Sequence, residues 1–324
     1  MRYRSLWRLF AMAGLAKYAQ TGGLKFGGGP DNFVRLSEWA LAAGGRMKLG
    51  DIEFHIFSTG RVLLDGGAMF GVIPRTMWEK KMAPDARNRI TLSMNSLLIR
   101  AGGKRILVET GAGDKMNQKF RDIYGLEGPN LIEGLRGYGV RPEDIDIVVD
   151  THLHFDHCGG NTRIENGKVV PAFPNARYLT QRGEFDHAMH PNERDHASYF
   201  AENFAPIEAA GLFDLIEGDR VLVPGVELIC VPGHTAHMQC VKLTGGGKTA
   251  FLFADLVPTT AHLPLPWIMG YDLYPMTTLE NKKRWIPAAV QEGWIALFAH
   301  DARVPAAYLR ERDGKWEPEP VAMD

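Results

Sequence analysis

Thr151-His152-Leu153-His154-Phe155-Asp156-His157 decides how this chain reads. Three histidines and an aspartate fall within six residues, behind the β-branched run 145–150 and ahead of Cys158-Gly159-Gly160. With 11 histidines and 19 aspartates in 324 residues, about one random chain in a thousand carries this spacing. A strand end feeding a glycine-rich turn is where a rigid scaffold presents side chains to a site. Neutral imidazole is the commonest protein metal ligand. His152 and His154, on alternate positions, project together, and Asp156 and His157 follow the turn to a second location. So many donors suit two adjacent ions with a bridging water better than one ion, and each ion needs further ligands from elsewhere.

Three later positions offer them. His234 sits in the turn Val231-Pro232-Gly233-His234-Thr235, Asp255 ends the apolar stretch 251–254, and His300 follows the stretch 295–299. Singly, each is as readily a hydrogen-bonded core histidine or a turn-forming aspartate. Beside the histidine motif, three strand ends that each carry a donor read as one edge of a sheet.

Around these positions the pattern alternates between strands and helices. Residues 53–57 and 61–64 read as a hairpin turning at 58–60, and 65–74 as a glycine-broken loop. Residues 92–100 and 105–109 form a second hairpin through Ala101-Gly102-Gly103-Lys104. Helices are expected over 131–138, 182–189 and 279–292. Strands are expected over 145–150, 176–180, 226–231, 240–244 and 249–254, with a last strand at 294–298. Strand pairs, then helices, then strand pairs again predict an α/β fold of two mixed sheets with helices outside. The expected divisions are a helical arm and glycine-rich linker over 1–47, a metal-binding domain over 48–311, and a tail over 312–324.

Composition narrows the class. Net charge is −1, from 37 basic and 38 acidic residues, which argues against nucleic acid as a partner. No stretch approaches the roughly 18–20 apolar residues of a membrane span. Three cysteines exclude a disulfide-stapled scaffold and make a reducing, cytoplasmic location the default. Residues 1–50 carry eight Lys/Arg against Asp31 and Glu38. Arg2, Arg4 and Arg8 precede a short apolar run, but no small-residue cleavage site precedes Lys17, so an added arm is favoured over a targeting segment. Phe33, Leu36 and Trp39 give it an apolar face that its own core or a homodimer partner would cover.

His152-x-His154-x-Asp156-His157, then His234, Asp255 and His300 in that order, resembles the full ligand set of the metallo-β-lactamase superfamily. The resemblance runs from about residue 51 to about 308. Asp65-Gly66-Gly67-Ala68-Met69-Phe70-Gly71-Val72-Ile73-Pro74 and Thr259-Thr260-Ala261-His262-Leu263-Pro264-Leu265-Pro266-Trp267 are similar to the quorum-quenching N-acyl-homoserine-lactone lactonases, with organophosphate hydrolases as near neighbours. The resemblance implies a four-layer αβ/βα sandwich with two divalent metal ions at one edge. Zinc is the first choice, with iron, manganese or cobalt also suited to such donors. One ion is implied on His152, His154 and His234, the other on Asp156, His157 and His300, with Asp255 bridging. A bridging hydroxide would attack the carbonyl of a small-molecule lactone or ester, and Asp156 would protonate the leaving oxygen. Two departures stand out. Glu109 replaces the usual aspartate in Val108-Glu109-Thr110-Gly111, and Pro258 replaces a tyrosine, with His262 as the candidate catalytic stand-in. Met69, Phe70, Trp267, Met269, Tyr271 and Tyr274 are candidate pocket residues, and His187, His190, His196 and His237 read as surface or turn residues. An organophosphate or aryl-ester hydrolase is the alternative reading. A thioesterase fits less well because only 24 residues follow His300, and a decayed scaffold would have lost at least one of the seven donors.

Overall fold

The computed structural model describes residues 46–322; the expected arm helix and glycine-rich linker lie outside them. The first half contains β1 (Arg46–Leu49), β2 (Ile52–Asp65), α1 (Gly66–Phe70), α2 (Arg75–Trp78), β3 (Arg89–Ala101), β4 (Lys104–Val108), α3 (Gln118–Tyr124), α4 (Leu131–Gly137), β5 (Ile147–Val149), α5 (Phe155–Cys158), β6 (Thr162–Glu165), β7 (Lys168–Pro171), β8 (Arg177–Gln181), α6 (Arg182–Met189), α7 (Ala205–Ala209) and β9 (Phe213–Ile216). The second half contains β10 (Arg220–Val223), β11 (Val226–Cys230), β12 (Gln239–Gly245), β13 (Lys248–Leu252), α8 (Pro275–Gln291), β14 (Ile295–Leu297), β15 (Ala306–Arg312) and β16 (Lys315–Pro320).

Two seven-stranded mixed sheets result, ordered β1-β2-β3-β4-β5-β8-β9 and β10-β11-β12-β13-β14-β15-β16, beside the small β6-β7 ribbon. Alternation along the strands explains their stacking. Phe54, Ile56, Leu97, Ile99, Ile106 and Val108 of the first sheet pack in one core with Val226, Leu228, Val241, Leu243, Leu252 and Leu297 of the second. On its other face the first sheet offers Leu98, Leu107, Val148 and Tyr178 to Leu131 and Leu135 of α4 and Ile207 of α7. The second sheet offers Phe251, Ala296 and Ala307 to Trp285, Ile286 and Ala289 of α8. Helix, sheet, sheet, helix is the expected four-layer sandwich.

Four local expectations need correction. Residues 53–64 belong to one strand, because the register against β3 slips between Ser58 and Arg61 and Gly60 sits at φ +132°; a bulge bends the strand where a turn was expected. Residues 66–70 are helical, with Asp65 accepting from the Ala68 amide as N-cap. The strand at 295–297 is not the last one. Nor is 312–324 a tail: Asp313 (φ +50°) and Gly314 (φ +68°) turn β15 into β16, which pairs from Arg312↔Lys315 to Ala307↔Pro320. Pro318, Pro320, Glu317 and Glu319 suit that edge strand, where unpaired backbone must resist further pairing.

Candidate metal centre

The first sheet delivers its donors in one turn. β5 ends at Val149, and the chain passes through Thr151 to α5, which carries Asp156 and His157 in its only turn. Gly159 and Gly160 let this turn press on the 110–112 backbone, since a Cβ there would lie 2.3 Å from the Ala112 and Thr110 carbonyl oxygens. Glu109 holds the turn from below. One carboxylate oxygen accepts from the Thr151 amide at 2.9 Å, and the other lies 2.6 Å from His157 Nδ1. The second sheet delivers His234 after β11, Asp255 after β13 and His300 after β14. His234 Nδ1 meets Asp272 Oδ1 at 2.9 Å, and His300 Nδ1 donates to the Ser93 carbonyl at 2.8 Å. Glu109 (φ +64°) and Ala254 (φ +46°), directly before Asp255, adopt left-handed backbone. Such residues cost of order 1–3 kcal/mol each and persist where surrounding packing imposes them.

All seven side chains converge. His152 Nε2 lies 3.1 Å and His234 Nε2 3.0 Å from His154 Nδ1. His300 Nε2 lies 3.0 Å from His157 Nε2, with Asp156 Oδ2 3.7 Å from His300 Nε2. Asp255 straddles the two groups. Its Oδ2 is 3.2 Å from His234 Nε2, and its Oδ1 is 3.1 Å from His300 Nε2 and 3.5 Å from His157 Nε2. Each of His157, His234 and His300 directs one nitrogen outward to an oxygen acceptor, so its other nitrogen turns a lone pair toward the cluster. With their rings neutral, His157 and His300 set two lone pairs 3.0 Å apart, and these repel. A cation at the centre relieves this, because tetrahedral Zn–N bonds of 2.0–2.1 Å set nitrogens about 3.3 Å apart. Asp255 Oδ1 is buried with no hydrogen-bond partner, an arrangement costly without a cation. The donor set therefore fits divalent ions: His152, His154 and His234 form one triad of mutually close donors, and Asp156, His157 and His300 another.

Electrostatics divides the histidines: burial opposes protonation of His157, His234 and His300, but Asp255, with Glu109 at His157 and Asp272 at His234, outweighs it and raises their pKa values. Burial drives the His152 and His154 pKa values well below the ordinary histidine range, with neighbouring histidines adding to the effect, so both are neutral donors. Burial opposes ionisation of Asp255, but His157, His300 and His234 outweigh it and hold the carboxyl well below its usual range.

A cavity of about 210 Å³ opens above the cluster. His154, Asp156, His234, Asp255 and His300 line its floor, and Leu64, Met69, Phe155 and Met269 its apolar walls. Tyr124, Tyr271, Arg194, Asp195, Ser198, Gly270 and Leu273 complete it. Of the expected pocket residues, Met69, Met269 and Tyr271 reach the cavity, while Phe70 and Trp267 pack beneath it and Tyr274 is exposed.

His262 does not stand in for a tyrosine. Its Nδ1 meets Thr259 Oγ1 at 2.8 Å, its Nε2 meets the Met69 carbonyl at 2.9 Å, and its ring stacks on Phe70 at 4.6 Å. Burial takes its pKa down to about 3. It is a neutral brace between two loops, with both nitrogens engaged. Cys158 is a buried packing thiol that donates to the Leu153 carbonyl. His187, read as a surface residue, is half-buried against Asp195 at 2.6 Å. Sequence reasoning missed Glu184, which accepts from the Leu153 amide, the Tyr199 hydroxyl and the Thr235 hydroxyl and so ties the two histidine-bearing turns together. It also missed Asp272 and Tyr124. An isolated acid or phenol on a helix or loop carries no spacing signal.

The family model described as Metallo-beta-lactamase superfamily matches residues 90–300, a span that contains all seven donors. The chain belongs to that superfamily. An N-acyl homoserine lactonase of Bacillus cereus is 30% identical over 263 residues, which cover 77% of this chain and 93% of that protein. Another from a Bacillus species is 32% identical over 178 residues, covering 54% of this chain and 63% of that protein. Among solved structures, one described as a probable metal-dependent hydrolase from Staphylococcus aureus superposes with a TM-score of 0.78 at 31% identity, over 86% of this chain and all of that one. This member of the superfamily therefore shares both fold and sequence with proteins so described.

Proposed function

We propose that this chain is a dinuclear-metal-dependent hydrolase that opens a lactone ring, with an N-acyl-homoserine lactone as its substrate. The observation that carries the reading is Asp255, which presents one oxygen to each nitrogen group at the floor of a cavity with both polar and apolar walls. His152, His154 and His234 would hold one ion, and Asp156, His157 and His300 the other, with Asp255 between them. Bound there, zinc or a similar divalent metal supplies Lewis acidity and lowers the pKa of water toward ~7. Asp156, on the cavity floor, would pass a proton to the departing ring oxygen. Leu64, Met69, Phe155 and Met269 exclude water and offer apolar surface to an acyl chain. The names of the lactonase relatives support the lactone over other carbonyl substrates. A cytoplasmic location is part of the proposal and agrees with three unpaired cysteines and with no described helix being long and apolar enough to cross a membrane.

The test is hydrolysis by purified, metal-loaded protein of homoserine lactones, aryl esters, a phosphotriester, a thioester and a β-lactam. The highest kcat/KM is expected on a homoserine lactone. A phosphotriester or aryl ester outpacing every lactone would replace the reading with the organophosphate or aryl-ester alternative.

A further inference from the structure

Two phenols face the cavity, and they differ. Tyr124 is the last residue of α3, a helix capped by Asn117 at its start and closed by Gly125 in left-handed backbone at φ +52°. A Cβ on Gly125 would lie 2.5 Å from Leu63, so the chain turns tightly against β2 there and fixes where the helix ends. The Tyr124 ring lies 4.8 Å from Phe155 and 6.0 Å from Phe120. Phe155 immediately precedes Asp156, so the wedge that holds the tyrosine belongs to the donor turn itself. Tyr271 sits on the opposite loop with 37% of its surface exposed.

No described residue hydrogen-bonds the Tyr124 hydroxyl, nor that of the more exposed Tyr271, although Tyr178 and Tyr199 both have protein partners. A half-buried phenol usually finds a partner. This one is left for whatever occupies the cavity it shares with His154, Asp156, His234, Asp255 and His300. Burial raises its pKa above the ordinary tyrosine value near 10, so it is a donor at neutral pH.

We infer that the Tyr124 hydroxyl donates a hydrogen bond to the carbonyl oxygen of the bound lactone as that oxygen becomes an oxyanion. The inference rests on the lactonase reading and adds to it a catalytic residue supplied by α3. Atoms balance without a proton leaving the tyrosine. A water oxygen adds to the carbonyl carbon, and the C=O π pair moves onto the oxygen facing Tyr124. The pair returns as the ring C–O bond breaks, and the water proton passes through Asp156 to the released alkoxide. A donor placed for the oxyanion acts mainly in the transition state, so its loss lowers kcat more than it raises KM.

The test is Tyr124→Phe, which keeps the ring against Phe155 and removes only the hydroxyl, compared with Tyr271→Phe and the unaltered chain. Turnover is measured on a homoserine lactone, and binding of the ring-opened hydroxy acid by calorimetry. The expected result is a kcat loss of about 10–100-fold for Tyr124→Phe, a smaller loss for Tyr271→Phe, and product affinity within about twofold of the unaltered chain. A Tyr124→Phe variant with kcat within twofold overturns the inference. So does an equal or larger loss in Tyr271→Phe, or a fall in product affinity parallel to kcat, which marks a packing role. If the unaltered chain opens no lactone, the lactonase reading fails first and takes this inference with it.

Discussion

The two sheets supply the same centre by different means. The first sends four donors from one turn, and that turn is pinned by side chains of its own sheet, above all the two oxygens of Glu109. The second sends His234, Asp255 and His300 from three separate strand ends. These are steadied by a loop carboxylate, Asp272, and by a backbone carbonyl of β3, that of Ser93. Each triad takes two members from the turn and one from the second sheet, so neither sheet holds a complete group alone. The site is therefore a property of how the sheets register, and the interior they share does chemical as well as structural work. Glu184 bridges the two contributions directly, with one oxygen on Leu153 and Tyr199 and the other on Thr235.

The largest break in this arrangement is expected from Asp255→Ala. That side chain sets one oxygen against each triad, and one of its oxygens has no hydrogen-bond partner. Turnover should fall below detection while circular dichroism and the unfolding temperature of metal-free protein stay close to normal. Near-normal turnover would remove Asp255 from the centre.

Next come Glu109→Gln and Asp272→Asn, one support from each side of the comparison. Removing such an outer carboxylate typically costs 10–100-fold in metal affinity or activity. Glu109 holds both His157 and the Thr151 amide, whereas Asp272 holds His234 and accepts from Thr278. Competition titrations with a chelator should show the greater loss for Glu109→Gln. Equal losses would mean that the turn is no more dependent on its support than the strand ends are.

A smaller effect is expected at Lys282. Its fully buried ammonium donates to the carbonyls of His262, Pro264 and Trp267 at 2.7–2.9 Å, and burial brings its pKa down to about 7. It anchors the loop that leads to Met269, Tyr271 and Asp272. Lys282→Met orphans these carbonyls and should lower stability by about 2–3 kcal/mol, read as a falling midpoint in urea. KM should rise more than kcat falls, because the cavity wall loosens while the donors remain. An unchanged urea midpoint would show that water replaces the ammonium freely.

The two sides of the centre also differ in how far the sequence exposes them. The turn was legible because His152, His154, Asp156 and His157 lie within one short segment behind a strand, where local spacing alone carries the signal. His234, Asp255 and His300 had weak local signals and gained meaning only together. The sandwich followed from alternating strands and the helices between them. The hairpin expected at 53–64 failed because a glycine that bulges a strand and one that turns it look alike without the partner β3. The β15–β16 hairpin was missed although Asp313-Gly314 is a strong turn signal, because the charged segment beyond it has the pattern of an edge strand rather than of a buried one. His262 misled because a histidine in a loop near the site does not reveal that both its nitrogens are already engaged. Tyr124 was invisible because α3 meets the donor turn only through tertiary packing.

The central claim is that the two triads hold two ions with Asp255 between them. Elemental analysis of protein purified without chelator and titrated to saturation tests it most directly. Two equivalents of divalent metal per chain are expected, with turnover reaching its full value only as the second binds. Saturation at one equivalent with full activity would contradict the account.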